Sequence, residues 1–296
     1  MTVFLQQVVN GLVIGSSYAL VAVGFTLIFG VLRIVYLAHG AVLVAGAYLG
    51  LFALNWSGSV TVALVVGTIG SALLGLLVEF VALRPVREQN HLIALVTTVS
   101  FATIVQEALR LSVQGGQPIS YPENIGSVLL RAEIGGVSLH VTVGQLAVMA
   151  VALALVVALT FIIQRTWMGR SIRAVADSPL VASMLGIRVN VISAQTVALA
   201  SALAGAAGVL LGLTIPAIDP YVGEHLQFKA LAVVLFGGLG SIAGAVLGGV
   251  LLGFVEAMAA GYLATSFRDL FAFMTMVVIL FFRPSGLMGR RLADRV

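Results

Sequence analysis

The chain contains no cysteine, which excludes disulfides and thiolate metal sites. Lysine is nearly missing too: of 15 Lys and Arg residues only Lys229 is a lysine, and it sits in Gln-Phe-Lys-Ala rather than after a glycine-rich turn. A P-loop needs its ammonium at the β and γ phosphates, so the chain holds no nucleotide-hydrolysing site of that kind. The histidines, His39, His91, His140 and His225, are scattered without metal-ligand spacing, and no Ser-His-acid order has a supporting signature. No catalytic residue, metal site or cofactor is therefore assigned, and the chain is not expected to be an enzyme. Charge of either sign is scarce. Charged residues make up 9% of the chain against 60% hydrophobic, and the mean hydropathy is +1.15. That is too little polar surface to cover a soluble globule.

Long apolar runs take the place of the missing charge. Residues 8–32, 34–54, 60–83, 92–111, 143–163, 191–213, 242–261 and 267–282 are each close to the roughly 20 residues that a membrane crossing needs. A further segment, 227–236, is shorter and carries Lys229, so it is either a short tilted span or a re-entrant one. The expected fold is an all-α polytopic transmembrane bundle of about 8–9 spans forming one domain over residues 1–296. The N-terminus lacks a basic n-region and its first run is longer than a signal-peptide h-region, which predicts a retained first span.

The net charge of +4 raises the question of a nucleic-acid partner, but the arginines fall in loops between apolar runs, a topogenic distribution. Nucleic acid is excluded as a partner. Placing Arg33, the Arg84 and Arg87 turn, residues 164–190 and the tail 283–296 on one face gathers 11 of the 15 basic residues there, and that face is expected to be cytoplasmic. The mixed-sign loop 114–140, with Glu123, Arg131 and Glu133, is then periplasmic. Alternation calls for nine crossings and an outside N-terminus; with 227–236 not crossing, the count is eight and one loop changes side.

Residues 164–190 form a polar island with Arg165, Arg170, Arg173 and Arg188, flanked by stretches (141–163 and 189–218) without a charged residue. Within it Ser178 suits an N-cap, Pro179 suits N1 and Gly186 suits a C-terminal stop, so 179–185 reads as one short helix. Two turns are marginal in water alone. Leu180, Val181, Met184 and Leu185 therefore need a partner surface, either the membrane or a soluble protein. Glycine is the other dense signal: Gly237, Gly238, Gly240, Gly244, Gly248, Gly249 and Gly253 crowd one segment. Small residues at four-residue spacing let helices approach closely, and a break from Gly237 to Ser241 is the alternative, exposing backbone groups to a translocation path.

Ionisable residues inside apolar runs carry a cost of about 3 kcal/mol or more and persist when paired or useful. Glu256 is the clearest case, either paired with Lys229 or protonated. Glu79 is expected to pair with Arg84 near the interface, and Glu107 with Arg110 at i and i+3. Asp219, Glu224 and His225 lie in a segment whose Pro216, Pro220 and Gly223 predict a structured turn rather than a helix.

The pattern Gly169-Arg170-x-x-Arg173-Ala174-x-x-Asp177-x-x-x-x-Ala182-Ser183-x-x-Gly186-Ile187 resembles the cytoplasmic loop of bacterial ABC-importer permeases of the branched-chain amino acid (LivH-like) family. Ala38-His39-Gly40, Arg84-Pro85, Asp219-Pro220-Tyr221, Gly237-Gly238-Leu239-Gly240-Ser241 and Arg283-Pro284-Ser285-Gly286-Leu287 are similar to further landmarks of that family, in its order. The chain departs from it at Tyr36 and Ala41, where members often carry Asn and Glu.

The resemblance implies an inner-membrane permease subunit with a cytoplasmic C-terminus. Its implied partners are a second, similar permease, two cytoplasmic ATP-binding subunits and a periplasmic substrate-binding protein. ATPase coupling is then expected of Arg173, Asp177, Ser178, Pro179, Leu180, Ala182, Ser183, Met184 and Gly186. A translocation path is expected near His39, Gly40, Gly237, Gly238, Gly240, Ser241 and Glu256. The substrate implied is a branched-chain or related hydrophobic amino acid; urea, an amide or another small metabolite is the alternative. A channel or secondary transporter would instead need its own coupling-ion site, for which Glu256 with Lys229 is the candidate pair.

Overall fold

The computed structural model describes residues 2–87, 89, 91–122, 128–133, 138–215, 217–283 and 286–289. Expectations that rest on Glu123, Pro216, Pro284, Ser285, Arg290, Arg291 and Arg295 fall outside the described residues. The helices are α1 (Thr2–Leu32), α2 (His39–Ser57), α3 (Val60–Val78), α4 (His91–Ser112), α5 (Val143–Arg165), α6 (Trp167–Asp177), α7 (Pro179–Met184), α8 (Val189–Gly212), α9 (Val222–Gly237), α10 (Ile242–Tyr262) and α11 (Arg268–Phe282). Eight segments among the described residues are long and apolar enough to cross a membrane, and they coincide with the eight long apolar runs. The chain is a multi-pass helical membrane protein.

Two local features differ from the sequence expectation, and a third bears on the alternatives left open for 227–236. The loop between α4 and α5 contains an antiparallel hairpin, β1 (Val128–Glu133) with β2 (Ser138–Thr142), in which Arg131 stands opposite His140. The segment after α8 turns only through Asp219 to Tyr221 and is helical from Val222, so Glu224 and His225 belong to α9. Gly223 is tolerated there because it lies against the backbone of Gly40, where a side chain would not fit. Finally, α9 is an unbroken 16-residue helix, about 24 Å long at 1.5 Å per residue and short of the ~30 Å hydrocarbon core.

The chain divides into two compact units. The first comprises Met1–Thr26, Asn124–Leu153 and Phe228–Val296; the second comprises Leu27–Glu123 and Ala154–Gln227. In the second, α2, α3 and α8 pack around small residues: Gly46, Gly205 and Ser71 meet where α2, α8 and α3 converge, and Gly75 receives Ser201. The Ser71 hydroxyl donates to the Val42 carbonyl at 3.2 Å. Residues 114–122 are tied down by a two-residue bridge, Ile119 to Ile218, and by Tyr121, whose hydroxyl donates to the Ala47 carbonyl at 2.5 Å.

At its C-terminal end α3 widens into a π-turn, Glu79–Leu83, and then tightens into a 3-10 turn, Arg84–Val86. Pro85 explains the change, since its ring clashes with the carbonyl four residues earlier and it offers no N–H to a regular ladder. In the first unit α1 and α10 touch through glycines: a side chain at Gly253 would strike the backbone of Gly15, and one at Gly249 the backbone of Ala19.

Candidate functional site

The island is more structured than a loop with one helix. After α5, Thr166 caps α6 by accepting the Gly169 N–H at 3.1 Å. α6 buries Gly169, Ile172 and Val175 and exposes its arginines. Gly169 is required because a Cβ there would enter the last carbonyls of α5, those of Ile162 and Ile163. Arg173 closes the same junction by donating to the Ile163 carbonyl. The far end of α6 is held by Arg33, which donates to the carbonyls of Ala176 at 3.0 Å and Asp177 at 3.3 Å. Such donation satisfies C-terminal carbonyls that have no helical partner. Arg33 adopts φ 55°, strained for a side-chain-bearing residue, and its contact with α6 is what that backbone turn achieves.

Next comes α7. Ser178 accepts the Val181 N–H and Pro179 occupies the first turn, as the sequence predicts. At the other end Gly186 takes φ 83°, its N–H donates to the Ser183 carbonyl, and the Ile187 N–H donates to the Ala182 carbonyl. This pair of bonds is a Schellman closure. Ala182 alone is buried; Leu180 is 67%, Met184 75% and Leu185 75% exposed. A rigid, doubly capped helix thus presents a continuous apolar face with no cover in the chain's own second unit.

In the first unit, Glu256 is fully buried at the centre of a charged cluster. Lys229 Nζ is 2.9 Å from its carboxylate, and the Tyr18 hydroxyl donates to it at 2.8 Å. Lys229 also pairs with Asp269 at 2.8 Å. The candidate pair is therefore formed, and three residues join it that sequence reasoning missed: Tyr18, Asp269 and Arg268, whose guanidinium lies 4.0 Å from the Glu256 carboxylate. Arg268 and Asp269 open α11, a polar doublet at the mouth of the last span; Tyr18 gave no signal within its apolar run.

The glycine break lies where expected: α9 stops at Gly237, Gly238 and Gly240 take positive φ, and Ser241 caps α10 by accepting the Gly244 N–H at 3.0 Å. The carbonyls of Phe236 and Gly237 accept from the N–H groups of Leu287 and Met288 at 2.7 and 3.0 Å. Segment 286–289 thus straps the break, tying the end of α9 to the chain beyond α11.

His39 and Gly40 belong to the second unit and Glu256 to the first. His39 is buried edge-on to Tyr36 with centroids 6.1 Å apart, and the Gly40 N–H donates to Gln227 Oε1 at 2.9 Å. Glu79 pairs with Arg87, not with Arg84 as its spacing suggests. The π-turn moves Glu79 inward, Arg87 bridges it to Asn190 at 2.8 Å, and Arg84 lies over the Phe80 ring instead. The expected Glu107 to Arg110 pair is present at 2.7 Å, and Tyr221 donates to the same carboxylate at 3.0 Å.

A long-helix membrane bundle with an external capped helix and an internal ion cluster is the build of a transport permease, and comparison with known proteins narrows it. Residues 7–280 match the family model described as branched-chain amino acid transport system / permease component. The chain belongs to that family. It is 35% identical over 302 residues to the high-affinity branched-chain amino acid transport system permease protein LivH of Salmonella typhimurium, covering 99% of this chain and 98% of the relative. It is 34% identical over 305 residues, with the same coverage, to the permease protein BraD of Pseudomonas aeruginosa. Among solved structures, PsaBC from Streptococcus pneumoniae in complex with Fab shares the fold, with a TM-score of 0.53 at 13% identity over 95% of this chain and 92% of that one.

Proposed function

We propose that the chain is the permease subunit of an ATP-binding-cassette importer that carries branched-chain or related hydrophobic amino acids across the bacterial inner membrane. The observation that supports this most is α7, a helix fixed at both ends whose Leu180, Met184 and Leu185 face outward without cover. It serves as the coupling helix, seated in a groove of a cytoplasmic ATPase subunit, so that nucleotide-driven closure reorients the spans. Arg173, which ties α6 to the Ile163 carbonyl at the end of α5, and Arg33, which holds the carbonyls at the C-terminal end of α6, make α6 and α7 follow the membrane helices as one lever. The assembly comprises a second permease, two ATPases and a periplasmic binding protein, with the island and the C-terminus on the cytoplasmic side.

Two measurements test this. Leu180→Asp and Met184→Asp are expected to abolish copurification of the ATPase subunits and ATP-dependent leucine uptake while leaving membrane insertion intact. Unchanged ATPase binding would refute the docking role, and uptake by the chain alone in proteoliposomes without ATP would refute the importer.

A further inference from the structure

The island carries more positive charge than its internal bonds consume. Arg173 and Arg33 are spent on helix-end carbonyls, whereas among the described residues Arg165, Arg170 and Arg188 form no ion pair. Chain geometry sets the depth of two of them. Arg165 is the last residue of α5 and Arg188 is the N-cap of α8, and both helices are membrane spans. A guanidinium at a span end stands at the level of the lipid headgroups.

The third, Arg170, lies over the ring of Trp167 at 4.1 Å, and Trp167 is 78% exposed two residues beyond the end of α5. This indole has no route into the protein, because α6 already buries Gly169, Ile172 and Val175 on its other face. An amphipathic ring with a cation on it fits the membrane interface, where one side is apolar and the other wet. The one acid of α6, Asp177, is ten residues from Trp167 along the helix, about 15 Å at 1.5 Å per residue, and is screened from it.

We infer that Trp167, Arg170 and Arg165 form a binding site for the headgroup of an anionic phospholipid. The guanidiniums take the phosphate oxygens as charge-assisted hydrogen bonds, and the indole lies at the glycerol level beside the end of α5. The site is built from α6 and the end of α5 and uses none of the exposed residues of α7, so it stands or falls independently of ATPase docking.

The test uses the full chain with Trp56→Phe, which leaves Trp167 the single tryptophan of the 2 in the sequence. It is placed in nanodiscs of phosphatidylglycerol and phosphatidylcholine, one of the two brominated high on its acyl chains. Trp167 emission should be quenched more by brominated phosphatidylglycerol than by brominated phosphatidylcholine and shielded from aqueous acrylamide. Arg165→Gln and Arg170→Gln should each lower the preference for the anionic lipid about fivefold, with Arg165→Lys and Arg170→Lys retaining most of it. Equal quenching by the two lipids, free access of acrylamide, or shielding that appears only when ATPase subunits are added would each overturn the inference.

Discussion

Replacing Glu256 by alanine removes the anion that holds α1, α9 and α10 to one another in the first unit. Lys229, 2.9 Å away, and the Tyr18 hydroxyl, 2.8 Å away, are both buried and lose their shared acceptor. Removing one member of a buried ion pair typically costs about 3–5 kcal/mol. Lys229 keeps Asp269, but that carboxylate is 61% exposed, and exposed pairs return only about 0–1 kcal/mol. The net cost is therefore about 3 kcal/mol. Glu256→Gln keeps the shape and an acceptor for Tyr18 and gives up the charge, for a cost of about 1–2 kcal/mol. Adding Lys229→Met to Glu256→Ala should restore part of the loss, because no buried cation is then left behind. The assay is the unfolding midpoint of the detergent-solubilised chain, read by intrinsic fluorescence. Equal losses for Ala and Gln would show that the negative charge itself is required, and an unaltered midpoint for Ala would refute the stabilising role of the cluster.

Other substitutions separate the remaining contacts. Arg87→Leu strands the buried Glu79 carboxylate and should destabilise by about 3–5 kcal/mol, with recovery in the Arg87→Leu, Glu79→Leu double variant; expression level and unfolding midpoint report both. Ser178→Ala removes the α7 N-cap, worth about 1 kcal/mol, and should weaken ATPase pull-down without abolishing it. Gly186→Val forces a branched side chain into φ 83° at a cost of about 1–2 kcal/mol, visible as faster proteolysis within the island.

The long spans were legible because each is a run without charge, and that signal needs no partner to interpret. The ends of α7 were legible for a similar reason: Ser178, Pro179 and Gly186 act on their own neighbours, so local chemistry decides them. What escaped was built from distant residues. α6 has a buried face of only Gly169, Ile172 and Val175, too brief for a periodicity argument amid five polar neighbours, Arg170, Ser171, Arg173, Asp177 and Ser178. Arg33 reads as a span terminator, and its grip on Ala176 and Asp177 crosses 143 and 144 residues of sequence. Glu79 was assigned to Arg84 by helical spacing, which the π-turn before Pro85 invalidates. Tyr18 looks like any aromatic in an apolar run until the fold brings Glu256 to it.

The glycines and the buried charges appeared as separate signals, one for packing and one for transport, but the structure makes the first a condition of the second. Gly249 and Gly253 on α10 meet Ala19 and Gly15 on α1 with no room for a side chain. Tyr18 is next to Ala19, and Glu256 is three residues beyond Gly253, so the backbone approach sets the distance over which the hydroxyl must reach. At the wider axial separations of 8–10 Å usual between helices with large side chains, a tyrosine on α1 would not place its oxygen 2.8 Å from a carboxylate fully enclosed by α10 and its neighbours. Dense glycine thus lets a membrane helix keep an ionised residue with its partners inside the protein, where lipid cannot reach it. The charge survives in the span because the helix around it was made thin.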